Sequence, residues 1–272
     1  MSKADFLIAR IIHLQVHIFH VVASIESDSD SEALHDLRIA LREVRSLLRP
    51  LRDHPGLARL DQAAAALLKR TSALRDAQVL AEELKRRGWQ TEADRRRQQV
   101  AKACHRCTRG RVARRVYAEL ERWPTELRLV EADAGLGKLK KRARRYVKRD
   151  LVKLRKALET QGNYASDWHA IRMRIKRVRY LCENYADWLT ANRKSLEELE
   201  HAQTALGREH DLSLWCSGVG KDPSLQPLLT TWLVNRVDAQ RDVRMAAARL
   251  LKRLNDRKRR STHVTALSPI SG

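Results

Sequence analysis

One short pattern written twice constrains this chain more than any other feature. At His35, Arg38, Arg42 and Arg45, and again at His169, Arg172, Lys176 and Arg179, a histidine is followed by cations three, seven and ten residues on. On a helix turning about 100° per residue, those four positions fall within a wedge of roughly 80°. Leu34, Leu37, Leu41, Val44 and Leu48 recur at helical spacing on a neighbouring face of the first copy. Trp168, Ile171, Ile175, Val178 and Cys182 do so in the second. Each copy therefore predicts a helix with one side for burial and one row of positive charge.

A solvated helix face usually mixes signs, because opposite charges four apart support one another and like charges repel. The first row, extended to Arg49, contains no acid, so it works against its own helix unless an anion sits on it. The pattern also keeps its register. His35 and His169 lie 134 residues apart, and Asp76 and Asp211 lie 135 apart, which points to an internal repeat.

Apolar spacing and breakers divide the chain into two sets of four helices. The first set is expected over 3–25, 32–52, 57–87 and 90–122, with Gly88 stopping the third helix and Trp123-Pro124 closing the fourth. The second set is expected over 138–159, 166–189, 192–216 and 224–255. The predicted class is all-α: two four-helix bundles from an internal repeat, related by an approximate two-fold, with the striped helices turned toward a shared basic groove. Residues 1–124 form the first half, 125–137 a hinge and 138–255 the second half, and 256–272 a disordered basic tail.

Composition narrows the partners. Lys plus Arg number 55 against 33 Asp plus Glu, a formal net charge of +22, which predicts attraction to polyanions. Four cysteines in 272 residues make no disulfide framework, so a reducing, cytoplasmic setting is expected. The lone Cys104/Cys107 pair lacks a second pair at metal-site spacing and reads as buried or idle thiols. The apolar run 6–25 is interrupted by Arg10, His13, Gln15, His17 and His20, so it reads as a packed amphipathic helix, with no membrane partner expected.

His35, Arg38, Arg42 and Arg45, the second row of His169, Arg172, Lys176, Arg179 and Tyr180, the segment Leu74-Arg75-Asp76, and Leu206-Gly207 with His210-Asp211 together resemble the CHAD family of helical histidine-containing domains. The resemblance covers about residues 3–255. It implies an all-helical two-bundle fold with a basic central groove or pore and inorganic polyphosphate as ligand. CHAD domains often accompany a tunnel-shaped triphosphatase domain with a Glu-x-Glu-x-Lys motif. That motif is absent here, so the helical module alone is expected.

The chemistry of the rows agrees with that ligand. Polyphosphate exposes only phosphoryl oxygens, so it calls for a line of donors rather than a shaped pocket, and Arg offers a fork of donors where Lys offers a point charge. His35 to Arg49 spans about 20 Å of helix at 1.5 Å per residue, enough to follow several phosphates. The expected binding residues are His35, Arg38, Arg42, Arg45, Arg49, His169, Arg172, Lys176 and Arg179, with Arg142, Arg145 and Arg149 as a further basic row continued by Lys153 and Lys156. Each of the two histidines either donates to phosphate or makes a local helix-end hydrogen bond. Asp76 and Asp211, with Arg75, His210 and Tyr180, are read as groups that orient the row; surface placement of the two acids is the alternative.

Two departures predict an asymmetric grip: Glu183 stands where the first copy has Arg49, and His210 where it has Arg75. His13, His17 and His20 share one helix face but lack a carboxylate or cysteine partner, so no metal and no cofactor are expected. No phosphate-binding glycine loop, zinc-protease or serine-hydrolase motif stands out, so no enzymatic activity is expected. Nonspecific nucleic-acid binding is the rival function, and a metal-dependent phosphohydrolase a more distant one. Oligomeric state is not fixed by the sequence.

Overall fold

The computed structural model describes residues 2–133, 135–160, 168–189 and 193–266, and every regular element among them is helical. In chain order these are α1 (Lys3–Glu26), α2 (Ala33–Leu48), α3 (Pro55–Arg70), α4 (Ser72–Arg86), α5 (Gln90–Thr108), α6 (Arg111–Ala132), α7 (Leu139–Thr160), α8 (Trp168–Asn184), α9 (Arg193–Gly218) and α10 (Leu229–Ala266). Single-turn 3-10 segments follow α2 and α8, and a six-residue 3-10 segment precedes α10. The chain divides into two compact units, Met1–Arg144 and Arg145–Gly272, with the division falling inside α7.

In the first unit α2 lies between α1 and α3, α3 packs along α6, and α4 pairs with α5. The apolar row of α2 predicted from spacing is buried without exception: Leu34, Leu37, Leu41, Val44 and Leu48 are all in the core. Leu7, Ile11, Leu14, Ile18 and Val21 of α1 join them, whereas Ile12, Val16 and Phe19 of the same helix are exposed, and α1 is long and apolar enough to cross a membrane by length and composition. In the second unit α8 packs on α9 and α9 on α10, around Ile171, Ile175, Val178, Leu206, Leu212 and Trp232.

The four helices expected of the first set are six. The helix predicted over 57–87 breaks at Thr71, whose backbone (φ −91°, ψ 1°) leaves the helical region while its hydroxyl donates to the Leu67 carbonyl at 2.9 Å. The helix predicted over 90–122 breaks at Arg109 and Gly110, the glycine being extended (φ −74°, ψ 164°) ahead of α6. α6 then runs through Pro124 to Ala132, so the expected stop at 124 and most of the expected hinge are helix. Proline forfeits one helical hydrogen bond there. Burial of Trp123, Leu127 and Val130 on successive turns holds the helix together across the gap.

Gly88 ends α4 as expected: it sits at φ 82°, a conformation that costs glycine little, while Trp89 N–H reaches the Leu84 carbonyl at 2.9 Å. At the other end, α10 continues to Ala266, so the first part of the expected disordered tail is helical. Residues 267–272 of that tail lie outside the described residues.

Candidate phosphate-binding rows

The cations of α2 do not share one environment. Arg38 is only 7% exposed, and its Nη1 donates to the Leu68 carbonyl at 2.8 Å and to Thr71 Oγ1 at 2.6 Å. It closes the carboxyl end of α3, where helix carbonyls lack internal partners and a cation is favoured. Arg45 Nε donates to Asp61 Oδ1 at 2.9 Å, and Arg52 Nη2 donates to the same oxygen at 2.8 Å. Asp61 is itself 8% exposed, so this carboxylate is almost fully enclosed by the two guanidiniums and α3. Arg49 is half-buried.

His35 and Arg42 stand further out, half-buried, and Arg75 of α4 lies close enough to act on the imidazole. Burial first, then the positive charge of Arg75, holds His35 below the ordinary histidine range. Glu32 and Asp36 oppose that shift and Arg42 adds to it. Arg75 Nη1 also reaches Glu32 at 3.4 Å and Glu82 at 3.5 Å, bridging the start of α2 to α4. Asp76, the next residue, is exposed.

The second unit repeats the arrangement with different residues. Arg179, like Arg45, is held by acids: its Nη1 lies 3.4 Å from Glu183 and 3.5 Å from Glu200, and its guanidinium stacks over Tyr180 at 5.2 Å. Tyr180 is buried beneath it. His169 is exposed and its ring lies 5.5 Å, centroid to centroid, from that of His210 on α9, with an interplanar angle of 45°. Arg172 and Lys176 are half-buried and bear on the same ring. Burial, then Arg172, His169 and Lys176 in that order, pushes His210 down to about 4. Asp211 is half-buried.

Helix geometry sets the outward order of each row but does not alone divide the tasks, since Arg38 and Arg172 share one angle while Arg38 is buried and Arg172 is half-buried beside His210. Measured from the middle of each apolar face, Arg45 and Arg179 lie about 60° away, Arg38 and Arg172 about 80°, Arg42 and Lys176 about 120°, and the two histidines about 140°. The inner end of each row is therefore within reach of partners on packed neighbours, and the outer end meets the next cation. Asp61 and Thr71 are site residues that the sequence reading passed over. The helical angle of Arg38 and Arg45 beside the leucine face was the available signal that both would be drawn inward.

The further row on α7 is less organised. Arg142 Nη1 stands 3.4 Å from His54 Nε2, Arg149 lies over the Tyr146 ring at 4.5 Å, and Arg145, Arg149, Lys153 and Lys156 are exposed. On α1, His13 and His20 are exposed and His17 half-buried. Among the described residues no three His, Cys, Asp or Glu side chains are placed to share a metal ion. Cys104 and Cys107 are buried free thiols, and burial pushes Cys104 up to about 11, far from the thiolate range. A cleft of about 700 Å³ in the first unit is lined by Asp28, Asp30, Glu32 and Glu82 as well as Lys85 and Arg97, so its character is mixed rather than cationic.

The fold and its rows define a class: an all-helical, strongly basic protein in which a cationic helix headed by histidine recurs in each of two compact units. The family model of the CHAD domain matches residues 7–217, and the chain belongs to that family, which is linked in general to polyphosphate binding. It is similar to the crystal structure of the CHAD domain from the plant Ricinus communis, at 20% sequence identity and a TM-score of 0.69 over 93% of this chain and 92% of that one. At that identity the likeness speaks for the fold. No curated protein matches the chain.

Proposed function

We propose that this protein is a non-enzymatic inorganic polyphosphate-binding module. The observation that carries the reading is the recurrence, in each unit, of an outer cluster of cations and histidine at the head of the row: His35, Arg42 and Arg75 in one, His169, Arg172, Lys176 and His210 in the other. In each cluster burial, and then neighbouring positive charge, holds one imidazole, His35 or His210, below the ordinary histidine range, a state that phosphate oxygens would relieve. In this reading a long chain runs along both clusters, in the basic central groove that the family resemblance implies, and the inner cations Arg38, Arg45 and Arg179 shape the rows. Such binding suits a cytoplasmic protein recruited to polyphosphate granules.

Nonspecific nucleic-acid binding is the rival, favoured by the net charge of +22. The clusters contain no exposed aromatic ring other than histidine for stacking on bases. A competition titration at physiological salt separates the two: long-chain polyphosphate is expected to displace RNA of equal charge at far lower concentration. Equal potency would leave only a generic cation surface. Incubating the protein with polyphosphate and Mg²⁺ while following released phosphate tests the hydrolase reading, and no release above the protein-free control is expected.

A further inference from the structure

We propose that His210 is a direct phosphate ligand of the second unit, standing where Arg75 stands in the first, and that it makes the second cluster proton-dependent. The inference rests on the polyphosphate reading above. Arg75 and His210 are 135 residues apart, the same separation as Asp76 and Asp211 and one more than His35 and His169. The structure gives that arithmetic a spatial meaning. Arg75 of α4 pairs with Glu32 at the start of α2 and acts electrostatically on His35, and His210, on the α9 helix that packs against α8, has its ring 5.5 Å from that of His169. The position is thus a donor position in both units, filled by a permanent cation in one and by a titrating ring in the other.

Among the described residues, the charged groups that shift His210 all act in the same direction. From α8 these are Arg172, His169 and Lys176, and on its own helix the neighbouring Glu209 is turned toward Arg236 of α10 at 3.4 Å. Asp211, the other adjacent acid, is half-buried. Arg75, by contrast, already has Glu32 and Glu82 against it. Without ligand, then, the proton is expelled from His210, while its counterpart Arg75 keeps its charge at all pH values. An anion placed among His169, Arg172, Lys176 and His210 reverses the sign of the local field and lets the ring take up a proton. Binding is therefore coupled to proton uptake. Because the bound ring holds its proton more tightly than the free one, affinity rises as pH falls from the ordinary histidine value near 6.5 toward about 4.

The test is a set of titrations of the full chain with long-chain sodium polyphosphate at pH 7.5 and 5.5, at constant salt. Wild type is expected to bind roughly tenfold more tightly at pH 5.5, the factor that follows if the bound ring takes up its proton near the ordinary histidine value of about 6.5. His210→Arg is expected to bind more tightly than wild type at pH 7.5 and to lose most of the pH dependence. His210→Gln is expected to lose the dependence with no gain at pH 7.5. Thermal melts of both variants establish that they fold. The His210 imidazole resonance, followed by NMR through a pH series, is expected to titrate at higher pH with polyphosphate than without it. An unchanged pH profile in both folded variants, or an unmoved resonance, overturns the proposal while leaving polyphosphate binding intact. Failure of wild type to bind at either pH overturns the functional reading itself.

Discussion

Arg38 and Arg42 are four residues apart on α2, chemically identical, and set to different tasks by about 40° of helix rotation. Arg38 is inside, donating to the last turn of α3, so removing it leaves a buried hydroxyl and carbonyl without their donor. Arg38→Ala is expected to cost about 2–3 kcal/mol in urea denaturation, the range for hydrogen bonds to a charged group. Arg42→Ala is expected to stay within about 0.5 kcal/mol of wild type. Its polyphosphate affinity is expected to fall roughly tenfold, the equivalent of about 1.4 kcal/mol. A stable Arg38→Ala protein that has lost only binding would show that Arg38 contacts the ligand after all. The pattern in the sequence located both residues and could not separate them by type. It treated the whole row as uncompensated because it counted only acids on the same helix. Asp61, which neutralises Arg45 and Arg52, comes from α3, and such long-range partners leave no trace in local spacing.

At the level of helices, the buried faces of the strongly periodic α2 and α8 were legible, all but the half-buried Trp168 lying in the core, although the helices end at Leu48 and Asn184, short of the expected 52 and 189. Two breaks were not legible, one at Thr71 and one at Gly110, where a single glycine inside a helical pattern does not by itself end a helix. Thr71 interrupts what reads as one helix from 57 to 87, and its residue type carries no turn signal. What fixes the break is a tertiary hydrogen bond: the Thr71 hydroxyl accepts from Arg38 while donating to Leu67. Pro124 errs in the other direction, because packing of Trp123 and Leu127 outweighs the missing hydrogen bond. The hydroxyl of Thr71 can be removed without changing shape. Thr71→Val is expected to destabilise the protein by about 1–3 kcal/mol, because the Arg38 guanidinium keeps its buried position and loses an acceptor. In the Arg38→Ala background the same change is expected to cost much less. Additive losses in that double-mutant cycle would mean that the two side chains do not act together at the α3–α4 junction.

For the molecule as a whole, the proposed polyphosphate reading predicts avidity from its two clusters. If one polyphosphate chain spans both, attachment to the second follows attachment to the first as an intramolecular step. Its effective concentration is then set by the ligand's own length, which multiplies affinity by roughly 10²–10⁴ without any new contact. Triphosphate is too short to gain this, so it should occupy the clusters independently. Calorimetric titration of wild type with triphosphate is expected to show two weak sites. Disabling the first cluster with Arg42→Ala and Arg75→Ala, or the second with Arg172→Ala and Lys176→Ala, is expected to remove one of them and leave the other unchanged. The same variants should lose most of the long-chain affinity, because either change abolishes the intramolecular step and not merely half of the donors. The excess of +22 works in the same direction at every separation, so the comparison belongs at physiological salt, where charges beyond about 8 Å are screened and the contribution of the clusters stands apart from the general field. Loss of long-chain and triphosphate binding in equal proportion would mean that the two clusters never hold the same chain.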